Sequence, residues 1–374
     1  METARRSGGV VDLDLASVAT GIAILRASRI IATLLRGRSR KEIVRPMRKV
    51  ILLVGGVLVL ACGGDGGTTA PPPPSANSWV QKASLSDGSL SGAVSFVAQG
   101  KLYVGTGLRA NGFSYAFSEY DPIGDKWTYV VPLPIDPRSN AIAFAIGDYG
   151  YVGLGSNFTC GGLCTYHFFK DLWRFNPQNW VWDRMADFPG TARSSAVSFV
   201  IGDKAYVTGG TYFTDYDLWE YSPAANSWTK KADYPGGCSG RGTAFSIADK
   251  GYVGLGYSNG MCTDFWRYDP AANSWTAIAN FPGPARYDAL GFSVANVPFI
   301  VGGARELNYL TDVWTYNPAS DTWVQVQTTY PGKGRSQMIA AILAGRVFLG
   351  LGTNFDTGGP ESRFDDFWEY IPPK

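Results

Sequence analysis

Histidine is almost missing from this chain: among 374 residues there is one, His167. Any mechanism or metal centre that needs two imidazoles is thereby excluded. Charge is also sparse, at 17% of residues, against about a quarter in an ordinary soluble protein. The apolar run Val50–Ala61 is too short to span a bilayer comfortably as a helix, which takes about 20 residues. What is abundant is glycine (46) and aromatic side chains (14%), with 22 prolines. That composition points away from helical bundles and disorder and toward short strands joined by tight turns. At this length a single compact unit has to be a barrel, a sandwich or a propeller.

The net charge of +2 is unevenly placed. Residues 1–49 carry 11 Lys/Arg and 4 Asp/Glu, leaving 22 basic and 27 acidic residues in 50–374, a net of −5. The main body lacks the basic footprint that nucleic acid requires, so no nucleic-acid partner is expected. Met47-Arg48-Lys49 followed by an apolar stretch and Val59-Leu60-Ala61-Cys62 has the shape of a processed signal. It resembles the lipobox of bacterial lipoproteins, which implies lipid on Cys62 and an envelope location on the periplasmic face or cell surface. A secretory signal with an incidental cysteine is the alternative. The expected organisation is 1–46, an upstream extension that is untranslated if the true start is Met47; 47–61, signal peptide; 62–74, a Gly/Pro-rich linker; and 75–374, the folded domain.

The domain is periodic. Trp79, Trp127, Trp182, Trp228, Trp275 and Trp323 lie 48, 55, 46, 47 and 48 residues apart. A second series reads SEYDP (118–122), WRFNP (173–177), WEYSP (219–223), WRYDP (266–270), WTYNP (314–318) and WEYIP (368–372). A third reads YVGTG (103–107), YVGLG (151–155), YVTGG (206–210), YVGLG (252–256), FIVGG (299–303) and FLGLG (348–352). Only Trp180 falls outside these series. Six copies of this three-part unit resemble the Kelch repeat, each unit one four-stranded propeller blade. The resemblance implies an all-β, six-bladed Kelch propeller. The last unit lacks a fourth-strand Trp and the first Trp lacks a third strand before it. The N-terminal strand should therefore complete blade six and leave no open seam.

Loops between second and third strands, and those leading into each first strand, should emerge on one face. They carry Tyr166, His167, Tyr212, Tyr257 and Tyr309, as well as an arginine series: Arg138, Arg193, Arg286 and Arg335. Leu90 occupies the arginine position in blade one; in blade four it is Ser239, with Arg241 two residues on. The functional reading is a ring that clamps an anion at the channel mouth, rimmed by the tyrosines and histidine. The competing reading is scaffold, each arginine bonding loop carbonyls. The aromatic loops are similarly open to two readings: rings that stack on sugars or dock a protein, or rings packed inside long loops. Four further cysteines, Cys160, Cys164, Cys238 and Cys262, suit disulfides in an oxidising compartment, paired 160–164 and 238–262 by proximity; a zinc site with His167 is the weaker alternative.

Kelch-type propellers occur in galactose oxidase and in sialic-acid mutarotase. Resemblance to the first implies a copper site that one histidine cannot complete. Resemblance to the second implies a cofactor-independent sugar mutarotase or epimerase, with Asp288 or Glu306 as acid/base. No secure residue match and no nucleophile–base pair is visible. The expectation is a monomeric, envelope-anchored binding protein that recognises a glycan or protein partner, needing neither metal nor cofactor, with the mutarotase as the alternative.

Overall fold

The computed structural model describes residues 77–160, 163–210, 215–355 and 361–372. The leader, the linker, Cys62 and Tyr212 lie outside the described residues. Every regular element in the described chain is a strand. Six four-stranded antiparallel sheets are arranged as blades, and their innermost strands are Val94–Ala98, Ile142–Ile146, Val197–Ile201, Thr243–Ile247, Leu290–Val294 and Ile339–Leu343. Strands run outward in chain order in blades one to five. In blade six the outermost strand is Ser78–Lys82, paired antiparallel to Phe367–Ile371 with Trp79 opposite Tyr370. The N-terminal strand thus closes the ring.

The aromatic series explain the packing. Among the described residues six apolar clusters form, each spanning two neighbouring blades. Alternation along the strands sends one set of side chains into each wedge; Phe199 and Tyr206 of blade three, for instance, meet Tyr268 of blade four. Gly251 sits where a Cβ would lie 2.1 Å from the Phe199 ring, so the neighbouring blade can approach only because the side chain is missing.

A polar latch supplements these wedges on the turn face. Asn226 adopts φ +46° at the turn into the outer strand. Its Oδ1 accepts the Tyr221 hydroxyl at 3.0 Å and the backbone N–H of Ala186 in the preceding blade at 2.8 Å. Trp228 Nε1 donates to the carbonyl of that same Ala186, 2.9 Å away. Asp125, Asn273 and Asp321 repeat the arrangement with Tyr120, Tyr268 and Tyr316. Left-handed backbone suits Asn and Asp, which accounts for the Asn-Ser-Trp and Asp-x-Trp turns. Blade two departs: Phe175 replaces the tyrosine and Trp180 the acceptor, and buried Trp182 Nε1 has no hydrogen-bond partner. At the seam Asn77 keeps the Tyr370 hydroxyl while Trp79 Nε1 donates to Thr328 Oγ1 instead of a backbone carbonyl, so among the described residues the full latch spans four of the six interfaces, and Trp180 marks the one with no part of it.

Candidate functional site

The opposite face is built on the glycines that end the second strands. In each blade one glycine N–H donates to the carbonyl of the residue at the arginine position of the next blade: Gly107 to Arg138, Gly155 to Arg193, Gly210 to Ser239, Gly256 to Arg286, Gly303 to Arg335 and Gly352 to Leu90, at 2.6–3.0 Å. These six bonds run once round the ring and cross the closing seam.

The four series arginines are inside the blades, not round the channel, which rules out the anion-clamp reading and fits the competing scaffold reading of the sequence. Each is at most 1% exposed. Arg286 is representative. Nε donates to the Pro284 carbonyl at 3.0 Å, Nη1 to the Gly302 carbonyl at 2.9 Å and to Asp312 Oδ1 at 2.6 Å, and Nη2 to Asp312 Oδ2 at 2.7 Å. Arg138, Arg193 and Arg335 repeat this with Asp171, Asp217 and Asp366. Each aspartate also accepts the indole N–H of the tryptophan two residues on, as Asp312 does from Trp314 at 2.7 Å. Burial would raise Asp217 and Asp312; hydrogen bonds from their arginines and tryptophans outweigh it and hold both below the ordinary carboxylate range. Nε, Nη1 and Nη2 each have a protein partner and the side chains are buried, so the series forms no ring of free guanidinium groups round the channel; Arg138 lines the concavity on blade two. An Asp-x-Trp pattern at 171, 217, 264, 312 and 366 was the available sequence signal for these partners. The set varies together: blade one, which has Leu90, also has Ala116 and Ser118 at the Asp and Trp positions.

The channel is lined by small, uncharged residues of the six inner strands, among them Ser95, Ala143, Ser198, Ala244, Gly291 and Ala340, around a cavity of about 480 Å³. A larger concavity of about 610 Å³ on blade two, beside Lys170, Asp171 and Arg184, shares no lining residue with it.

At the mouth, the residue before each channel-lining stretch is left-handed: Gly92, Asn140, Ser195, Arg241, Asp288 and Gln337, with φ between +50° and +59°. Asn140 N–H donates to Gly92 O, Ser195 to Asn140, Asp288 to Arg241 and Gln337 to Asp288. Five of these residues are not glycine, and left-handed backbone costs each of them about 1 kcal/mol or more. Left-handed non-glycine backbone also recurs at the second-strand ends (Thr106, Leu154, Leu255, Leu351) and at the turns into the outer strands (Asp125, Asn226, Asn273, Asp321), so it belongs to the repeat; what distinguishes this ring is its pair of opposite charges. Within this ring only Arg241 and Asp288 are charged, and they are adjacent. Arg241 Nε and Nη2 both donate to Asp288 Oδ2, the former at 3.0 Å. Among the described residues Arg241 Nη1 and Asp288 Oδ1 make no hydrogen bond. Burial pulls the Arg241 guanidinium down and the Asp288 carboxylate pulls it up, and the second prevails. The guanidinium lies 4.2 Å above the Tyr287 ring, which meets Tyr257 edge-on at 6.2 Å. Tyr309, on the hairpin above, is pushed up to about 12 mainly by burial.

Tyr257 and Tyr309 therefore gather near the Arg241–Asp288 pair, not round the four series arginines that the sequence reading placed inside the rim. Glu306 lies at the turn of blade five's hairpin, its carbonyl accepting the Tyr287 hydroxyl at 3.3 Å. Tyr166 and His167 do not join this pair. They stand on blade two's hairpin, Ser156–Cys160 against Cys164–Phe168, where Tyr166 is 60% exposed and His167 Nε2 is 3.4 Å from Thr159 Oγ1. Phe158 packs between Phe113 and Tyr166 there. Disulfides join Cys160 to Cys164 and Cys238 to Cys262, so all four cysteines are used.

These features define a six-bladed β-propeller, and a Kelch motif is matched over residues 192–233, in blade three. Among similar proteins, the N-acetylneuraminate epimerase of Escherichia coli O157:H7 is 33% identical over 106 residues, 28% of each chain. Epimerase 1 of Escherichia coli O6:H1 is 27% identical over 32% of this chain and 33% of its own. The Shigella sonnei epimerase is 36% identical over 23% of each. The chain thus spans no more than about a third of the length of these curated relatives. The solved structure of YjhT superposes with a TM-score of 0.62 at 18% identity, covering 74% of this chain and 94% of that one. That likeness shows the fold.

Proposed function

We propose that this protein is an envelope-anchored propeller that binds a sugar acid of the N-acetylneuraminate type at its channel mouth and interconverts the sugar's ring forms without a cofactor. The observation that carries the reading is the open Arg241–Asp288 pair. Every series arginine has Nε, Nη1 and Nη2 engaged, whereas Arg241 keeps Nη1 for an incoming carboxylate and Asp288 keeps Oδ1 for a proton. In the step assigned to it, Asp288 takes the proton of the anomeric hydroxyl as the ring C–O bond breaks, and a water at the mouth relays that proton from Asp288 to the ring oxygen, so the open-chain form leaves the carboxylate as it began. Rotation and the reverse step give the other anomer. The names of the partial relatives support the substrate class, and Tyr257, Tyr287 and Tyr309 supply apolar ring faces beside the cation.

Anomer exchange of N-acetylneuraminate followed by NMR tests this. The exchange rate should rise in proportion to protein added. Asp288→Asn should keep binding and lose about 10²–10⁴ in rate. Unaltered exchange with the wild type would reject the catalytic reading. Binding without acceleration would leave a glycan receptor, the reading favoured by the exposed Phe158–Tyr166 ridge.

A further inference from the structure

Blades one and four both lack the series arginine; of the two, blade four keeps the Asp-x-Trp partner and sits directly behind the mouth pair. Ser239 holds the arginine position, buried and with Oγ unpartnered. The Asp-x-Trp half of the brace is nevertheless intact: Asp264 Oδ2 accepts Trp266 Nε1 at 2.9 Å and the Gly237 N–H at 2.8 Å. Where other blades place a guanidinium, this one places the Cys238–Cys262 disulfide. The register makes the substitution specific. Cys262 lies two residues before Asp264, as Phe169 and Phe364 lie two before Asp171 and Asp366, and those rings stack on Arg138 and Arg335 at 3.9 and 3.7 Å. Cys238 takes the place of Ala192 and Ala285, which precede Arg193 and Arg286. The disulfide thus joins the two positions that flank the missing guanidinium.

We propose that the Cys238–Cys262 disulfide is the positioning device for Arg241, taking over the brace that a buried arginine supplies in blades two, three, five and six. Blade four has its arginine two residues along, at the mouth rather than the scaffold position, and without a replacement its lead-in loop would be tied to the blade by backbone bonds and the Asp264–Gly237 contact. Gly240 and Tyr257 exchange backbone hydrogen bonds of 3.3 and 2.8 Å, and Asp288 N–H reaches the Arg241 carbonyl at 2.8 Å. Covalent closure behind them sets the height of the Arg241 backbone, and with it the reach of Nη1. The proposal deepens the sugar-acid reading and rests on it for its affinity arm only.

The test compares three full-length proteins: wild type, C238A/C262A, and C238A/S239R/C262F, which rebuilds the arginine brace against Asp264. Affinity for N-acetylneuraminate and hydrogen exchange at the Asp288 amide are read together, with the Asn140 amide as the control on the far side of the ring. In the alanine pair affinity should fall about tenfold, because the loop must then be ordered on binding. Protection should drop at Asp288 and hold at Asn140. The rebuilt variant should recover both. Unchanged affinity and protection in the alanine pair overturn the proposal, as does a rebuilt variant that folds without recovering them. If the alanine pair does not fold, the rebuilt variant decides alone: wild-type protection at Asp288 supports the brace, and its loss rejects it. A wild type that binds no N-acetylneuraminate rejects the sugar reading, while exchange at Asp288 still decides the role of the disulfide.

Discussion

Two kinds of arginine occupy this fold, and they differ in what their donors meet. Arg286 is fully buried with Nε, Nη1 and Nη2 committed, whereas the Arg241 side chain is 34% exposed with Nη1 open. Arg286→Ala should therefore cost about 3–5 kcal/mol, the range for leaving a buried carboxylate unpaired, with sugar affinity little changed in the protein that remains folded. Arg241→Ala should do the reverse and lose a charged hydrogen bond of about 1.5–3 kcal/mol from binding. Melting temperature and affinity measured on the same preparations separate the two roles. The depressed carboxyls of Asp217 and Asp312 also give stability a direction in pH. Folding lowers their proton affinity, so their contribution is complete above the unfolded value of about 3.9. It is lost as pH falls through the lower folded values. Denaturant midpoints from pH 6 down to pH 2.5 should fall with acid, and D217N/D312N should start lower and flatten part of that slope.

The blade is the repeated element, and its interfaces are not equivalent. Five blades pair a tyrosine with Asn or Asp at the turn into the outer strand, Tyr370 reaching Asn77 at 3.0 Å, and in four of them that Asn or Asp also accepts an N–H from the preceding blade. The interface of blades one and two has Phe175 and Trp180 instead and relies on its apolar cluster. Trp180 holds φ +57°, a conformation that Asn tolerates far better. F175Y/W180N should install the latch and stabilise the protein by about 1 kcal/mol, one net hydrogen bond, seen as a raised denaturant midpoint with an unchanged slope. W180N without F175Y should gain less, because the tyrosine hydroxyl is half of the latch.

For the whole molecule, anchoring is the property that the leader implies. Cys62→Ser should abolish partition into the detergent phase and leave the propeller folded, whereas wild type should partition with membranes; equal partition of the two would reject lipidation. Much of the architecture was legible in the chain. Tryptophan spacing, glycine-ended strands and Asp/Asn-Pro turns are local chemistry in a sixfold repeat, and they determine blade number, strand order and closure by the strand at Trp79. The fate of the arginines was not legible, because a guanidinium reads the same whether it faces water or a carboxylate 24–33 residues away. Arg241 and Asp288 have no local pattern linking them: they belong to neighbouring blades, 47 residues apart, and only ring closure brings their left-handed positions side by side at the mouth. Repetition determined the scaffold; the proposed site lies where one repeat breaks its pattern, and which of its donors stay open is decided by tertiary burial.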